Sequence, residues 1–161
     1  MAILFVPTNL ASARALQDAP EPARALAIQL QPLAIRSPAD LDGAFRSAVA
    51  EHAAAIWVLG EPMLGAERAR IAALALNARL PTLFFGRQSV EAGGLMSYGP
   101  RWSELYRRTA TYVDKIIKGA KPADLPIEQF DPELVINLKT ARALGLTIPQ
   151  SVLLRADDRI E

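Results

Sequence analysis

Few side chains in this sequence are spaced as a reaction would need them. Glu61 and Glu91 both fall in loops, where two carboxylates brought together can work as an acid and a base. Loop carboxylates pair in this way by chance, and no other residue argues for a reaction. His52, the single histidine, lies near the end of a helical segment in a polar setting that suits a solvated or helix-terminal role. There is no glycine-rich phosphate loop with its lysine, no dinucleotide fingerprint, no nucleophile elbow and no cluster at metal-ligand spacing. Arg107, Arg108, Lys115 and Lys118 decorate one stretch, but Glu104 and Asp114 interrupt the basic stripe a nucleic acid would need. The expectation is therefore a protein without catalysis, cofactor, metal or nucleic acid.

Binding chemistry is better represented. Asn9, Ser12, Glu61, Pro62, Arg87, Gln88 and Tyr98 follow or end apolar runs that read as strands, and loops at one end of a sheet can place such residues around a single concavity. Polar groups there orient a solute against apolar walls. Trp57, inside a strand, reads as core, while Trp102 at a helix start reads as partly exposed.

The elements that must position these residues alternate. Residues 2–6 are a continuous apolar run closed by Pro7, as expected for a strand buried on both faces. Asn9 or Ser12 can cap an alanine- and leucine-rich helix that Pro20 and Pro22 break or restart. A strand over residues 33–36 follows, then a helix opened by Ser37-Pro38 in which Leu41, Phe45 and Val49 recur at helical spacing. Residues 55–59 read as a third strand, 66–80 as a helix carrying Ile71, Leu74 and Leu76, and 81–85 as a fourth strand. Repeated alternation of this kind predicts an α/β fold with a doubly wound, mostly parallel sheet and helices on both faces.

The stretch 91–100 joins this body to a long amphipathic helix over residues 101–118. Gly93, Gly94 and Gly99 give it the backbone freedom of a hinge, and Pro100 is placed to start the helix; the same residues also read as an ordinary loop, strand and helix start. Leu105, Tyr112, Val113, Ile116 and Ile117 form an apolar stripe on the helix, and burying it predicts either folding back on the sheet or a homodimer through residues 101–118. Residues 119–126 read as a linker, 127–130 as a short extended segment, 134–136 as a final strand, 139–144 as a short helix and 149–154 as a last helical turn.

Length and charge set bounds. At 161 residues and 51% hydrophobic content the chain can bury one ordinary core, and 18 basic against 17 acidic residues leave a net charge of +1 that asks for no polyanionic partner. The absence of cysteine rules out disulfides and thiolate metal sites. Met1 leads directly into residues 2–6 without a charged leader, a long apolar region or a cleavage site, and no apolar run approaches the roughly 20 residues that cross a bilayer. A chain that stays in solution is expected.

Gly93-Gly94-Leu95-Met96-Ser97-Tyr98-Gly99-Pro100, followed by Tyr106-Arg107-Arg108 and Tyr112-Val113-Asp114-Lys115-Ile116, resembles the tryptophan/tyrosine-type substrate-binding proteins of bacterial ABC transporters. The likeness continues through residues 118–126 and 134–141 to Leu144-Gly145-Leu146-Thr147-Ile148-Pro149, and it covers the C-terminal half of those proteins. It implies one flavodoxin-like or Rossmann-like lobe of a type I periplasmic binding protein, which binds a small solute such as an amino acid and delivers it to a permease and its ATPase. It also implies that residues 1–90 with 127–161 form the ligand-binding lobe, and that 91–126 are hinge strand, long helix and linker crossing to a missing first lobe. The location implied is periplasmic, or cytoplasmic if the chain is a natural full-length product. Val6-Pro7-Thr8-Asn9 departs from the aromatic-asparagine-proline loop frequent in the family, and Glu61 stands where an aspartate is frequent. The alternative reading is a standalone flavodoxin-like signalling or small-molecule-modifying domain, although Pro7-Thr8-Asn9 lacks the acidic pair a phosphoreceiver needs.

Overall fold

The computed structural model describes residues 1–128 and 131–161. Four short apolar runs form parallel strands: β1 (Ala2–Phe5), β2 (Gln31–Ala34), β3 (Ile56–Val58) and β4 (Thr82–Phe84). β5 (Met96–Pro100), β6 (Pro132–Asn137) and β7 (Asp158–Ile160) complete a seven-stranded sheet in the order β2-β1-β3-β4-β5-β6-β7. The β5–β6 pair is antiparallel, and the other pairs are parallel.

The crossovers explain which face each helix covers. The chain steps outward from β1 to β2 through α1 (Leu10–Asp18) and α2 (Pro20–Ala25), then back to β3 through α3 (Asp40–Ala50). Right-handed connections running in opposite directions lie on opposite faces of a sheet. Ala2 and Leu4 accordingly pack with Leu41, Phe45 and Ala48 of α3 and Ile71 and Ala75 of α5 (Arg68–Asn77), while fully buried Ile3 points to the other face. α4 (Pro62–Ala66) precedes α5, and α6 (Arg87–Glu91) leads from β4 toward β5. β6 and β7 are joined by α8 (Leu138–Ala143) and α9 (Gln150–Leu153).

Several boundaries differ from the sequence expectation. β2 lies two residues earlier than residues 33–36, pairing Ala2 with Gln31, because an edge strand tolerates a proline, here Pro32; Ile35 N–H still reaches Phe5 O at 2.8 Å. In α3 the buried positions are Leu41, Ala44, Phe45 and Ala48, whereas Val49 is exposed. The turn 37–40 precedes that helix, and the Asp40 carboxylate accepts from the backbone N–H groups of Arg36 and Ser37. These bonds hold the Asp40 pKa below its ordinary value. The helix expected over 66–80 is α5, which runs from Arg68 to Asn77, and the stretch before it that reads as a loop carries the short α4. Pro100 ends β5 opposite Pro132 instead of starting a helix, so the next helix begins one residue beyond Arg101. α6 and β7 had no counterpart in the sequence reading. The expected extended segment at 127–130 lies partly outside the described residues.

That next helix, α7 (Trp102–Ile117), is the longest in the chain and has no buried residue. It is held by its own returning linker: Tyr112 donates its hydroxyl to Pro126 O at 2.6 Å, and Arg108 donates to Glu128 at 2.9 Å. Tyr106, Val113, Ile116 and Ile117 remain exposed, as does Ile127 on the linker. No helix among the described residues is long and apolar enough to cross a membrane.

Candidate functional site

Where β1 and β3 lie side by side the chain changes direction in the sheet, and loops leaving the carboxyl ends of such strands diverge to leave a crevice. The β1 loop supplies Asn9, whose Oδ1 caps α1 by accepting from Ala11 N–H at 2.8 Å, and α1 supplies the buried Ser12. The β3 loop supplies Glu61, in extended conformation immediately before Pro62 opens α4. Three of the predicted residues meet here. Asn9 Nδ2 donates to Glu61 Oε2 at 2.6 Å, and the Ser12 hydroxyl donates to Glu61 Oε1. A buried carboxylate needs such donors in place of water, and the bonds tie the two loops across the seam.

Beyond Glu61 a cleft of about 620 Å³ opens over the carboxyl ends of β3 and β4. One wall is the β3 loop and α4, with Leu59, Glu61, Pro62 and Leu64; the other is Phe84, Phe85 and the start of α6, with Gln88 and Ser89. Trp102 of α7 closes the rim, its ring 6.3 Å from Phe85 in an edge-on arrangement and 6.3 Å from Tyr106. The lining is dominated by carbon, with few polar groups, as small-molecule sites are.

Two glycines allow Phe85 to sit where it does. A Cβ on Gly60 would lie 2.6 Å from the Phe85 ring, and one on Gly99 would lie 1.9 Å from Phe85 O. The first absence lets the ring lie against the β3 loop; the second lets β5 pass close to the end of β4. Gly99 is thus at the point where the chain leaves the sheet for α7, whereas Gly93 and Gly94 are at the opposite end of β5. There Thr140 Oγ1 donates to Gly93 O at 3.0 Å and Gly94 N–H donates to Ser89 O at 2.9 Å.

Arg87 and Tyr98 stand apart from the cleft. Arg87 points toward β6 and β7, donating to Glu91 at 2.9 Å and to Asp158, with Glu133 at 3.6 Å. Its pKa is raised chiefly by the hydrogen bonds to Asp158 and Glu91. Glu133, itself buried, also faces Arg101 at 3.8 Å, and Arg101 pairs with Asp157. The pKa of Asp157 is held down first by the Leu134 N–H, which it accepts at 2.8 Å, and then by Arg101; that of Asp158 is held down by Arg87. Tyr98 is exposed on β5 and does not line the cleft. Glu61 and Glu91 take different partners, the first Asn9 and Ser12 and the second Arg87, so no acid and base pair forms between them in this arrangement. Sequence reasoning does not reach Phe85, Leu64 and Ser89 as lining residues; Trp102 is half-buried, in keeping with the partial exposure expected at a helix start.

A family model described as ABC transporter substrate binding protein matches residues 1–160. The chain belongs to that family. Its α/β architecture agrees with solved relatives. A conserved domain protein from Vibrio cholerae is 27% identical with a TM-score of 0.85, over 98% of this chain and 53% of that one. An ABC domain from Streptococcus pneumoniae, solved in complex with L-Trp, is 26% identical with a TM-score of 0.87, over 99% of this chain and 55% of that one. CD0873 of Clostridium difficile, a substrate binding protein with adhesive properties in its ligand-free open form, is 17% identical with a TM-score of 0.73, over 99% and 54%, and shares the fold. No curated protein matches the chain. This family member therefore spans about half the length of the solved structures it resembles.

Proposed function

We propose that this chain is a solute-binding lobe of an ABC-type uptake system, working in the periplasm or an equivalent extracellular space with a permease and an ATPase, and that it binds its solute without altering it. The observation that supports this most directly is the carbon-lined cleft over β3 and β4, beside the seam closed by Asn9, Ser12 and Glu61. The Streptococcus pneumoniae relative holds L-Trp, which makes an amino acid or a similar small molecule the solute to test first. Residues 1–90 and 127–161 act as the lobe, with β5 completing its sheet. α7 and the linker to residue 126 lead toward a second lobe, whose surface covers the exposed stripe of α7. Gly99 and Arg101 stand at the crossing and serve as its hinge.

In such a clamp each lobe supplies part of the contact, and losing one forfeits contacts and the exclusion of water. Titration of the isotope-labelled chain with a panel of amino acids at millimolar concentration should shift the backbone amides of Gly60, Phe85, Gly86 and Ser89, with dissociation constants weaker than micromolar. Micromolar or tighter binding by a monomer contradicts a divided site. No response to any member of the panel contradicts amino-acid binding.

The exposed apolar residues of α7 favour a second reading for the arm, in which two copies cover each other through residues 101–118. Light scattering of the purified protein separates the two. A dimer broken by Tyr112→Glu and Ile116→Glu supports self-association, and a monomer at all workable concentrations supports the second lobe.

A further inference from the structure

The chain leaves the sheet at the end of β5 and returns at the start of β6, and Pro100 and Pro132 stand opposite each other at that crossing. One residue inward, Glu133 lies opposite Gly99, so the facing residue has no side chain to cover its carboxylate. Two arginines close over it instead. Arg87 Nη1 lies 3.6 Å and Arg101 Nε 3.8 Å from the same oxygen, Oε2, and the Glu133 side chain is only 10% exposed. Both separations are those of ion pairs rather than hydrogen bonds. A carboxylate withdrawn from water ordinarily holds its donors directly, as Glu61 does with Asn9 and Ser12. Glu133 divides its charge between two cations, and neither has closed on it.

The two cations belong to different parts of the molecule. Arg87 opens α6, whose next residues, Gln88 and Ser89, form a wall of the cleft, and it is also tied to Glu91 and Asp158. Arg101 is the residue before α7, and its other partner is Asp157. Asp157 is itself bolted to β6: its N–H donates to Leu134 O at 2.9 Å, and its carboxylate accepts from Leu134 N–H at 2.8 Å. Arg101 has room to move, because it borders a cavity of about 310 Å³ lined also by Glu104, Arg108, Asp131 and Asp157. An oxygen drawn to hydrogen-bond distance by one guanidinium is drawn away from the other.

We propose that Arg87 and Arg101 compete for Glu133, and that this competition couples the cleft wall to the arm. A movement of α6 that withdraws Arg87 gives Glu133 to Arg101 and fastens the start of α7; withdrawal of Arg101 gives it to Arg87. Glu133 is a positioning residue, acting through the two arginines without touching a solute. The inference rests on the solute-binding reading, which gives the cleft wall and the arm reasons to move, and adds to it a route between them.

The test needs no solute. It follows the side-chain Nε–H signals of the two arginines in the full chain labelled with nitrogen-15, assigned by their loss in Arg87→Gln and Arg101→Gln. Arg87→Gln should slow the exchange of Arg101 Nε–H with water about threefold to tenfold, as a loose ion pair becomes a charge-assisted hydrogen bond. Arg101→Gln should shift the Arg87 signal in turn. With Glu133→Gln added, each signal should ignore the loss of the other arginine. The arm is read by spin labels on cysteines introduced at Ala73 of α5 and Thr111 of α7, both exposed in a chain that has no cysteine of its own. The distribution of distances between the labels should broaden in Glu133→Gln and narrow in Arg87→Gln. Arg101→Gln, which leaves the buried carboxylate in place, should broaden it as well and serves as the arm measurement where Glu133→Gln lowers the melting temperature. An Arg101 signal indifferent to Arg87→Gln, a response that survives Glu133→Gln, or an arm equally ordered with and without the Arg101 side chain overturns the proposal and leaves the solute-binding reading intact. Arginine responses as expected, in a chain whose cleft amides stay silent toward the amino-acid panel, support the coupling and overturn the solute-binding reading alone.

Discussion

β1 and α7 use the same kinds of apolar side chain and end in opposite environments. Ile3 and Leu4 are wholly buried, as are Leu41 and Ile71 on the helices that cover one face of the sheet. Val113 is 50% exposed and Ile117 79%, on a helix of sixteen residues whose amphipathic pattern is unmistakable. Amphipathicity specifies which face will be buried, but a core forms only where a second apolar surface converges on it. The lobe supplies that surface to its own strands. Toward α7 it offers Phe85 against Trp102, and the rest of the helix leans on its returning linker.

Truncation should expose this contrast most strongly. Leu4→Ala or Leu41→Ala removes a fully buried side chain from a packed interior and should cost about 2–5 kcal/mol of unfolding free energy in urea titration. The same change at Ile117 should stay within about 0.5 kcal/mol, as at other exposed positions. A comparable loss at both places would mean that the arm is part of the core.

Gly99→Ala comes next, because it tests the junction between the two regions. The added methyl would lie 1.9 Å from Phe85 O, so β4 and β5 must separate. A loss of about 1–3 kcal/mol is expected. Thermal melting should show it, together with a change in the environment of Trp102 fluorescence, measured in a Trp57→Phe background. An unchanged melting temperature would show that the sheet relaxes freely at this point.

Acid should then weaken the lobe through its edge. Asp40, Asp157 and Asp158 all have pKa values below the ordinary 3.8 in the folded chain. Below that value the unfolded chain takes up protons that the folded one refuses, so stability is intact above about pH 4 and falls as pH drops toward the folded values. Asp157→Asn should flatten this dependence in melts between about pH 5 and pH 2. An identical slope in the variant would remove Asp157 from the account.

The division between the two regions also marks what the sequence made legible. Ala2-Ile3-Leu4 and Ile56-Trp57-Val58 are short apolar runs with no alternative to burial, so the parallel sheet could be read from them directly. β7 could not, because Asp158–Ile160 is a half-exposed edge strand specified by its pairing with Val135, Ile136 and Asn137. α6 was hidden for a similar reason: five residues give too short a period, and Ser89 and Val90 alone show its inward side. Within the site, Asn9, Ser12 and Glu61 were legible as residues following strands β1 and β3. The Phe85–Trp102 contact was not, since it depends on β5 approaching the end of β4 at Gly99, a distance that no local pattern records.

Tyr112→Phe should have the smallest effect. It removes the bond to Pro126 O from an exposed arm, and about 0.5–1.5 kcal/mol is expected in the local opening of α7 with little change in global unfolding. Faster amide exchange confined to α7 is the predicted signature, and faster exchange spread through β1 and β3 would contradict it.

Native-state hydrogen exchange of the unaltered chain, compared strand by strand and helix by helix, tests the central claim most directly. If the chain is a stable lobe carrying an arm that awaits another surface, amides of β1, β3 and α3 should open only with global unfolding, while those of α7 exchange through low-energy local opening. Protection of α7 equal to that of β1 in a monomeric sample would contradict the account, showing that the arm is already fully stabilised by the chain to which it belongs.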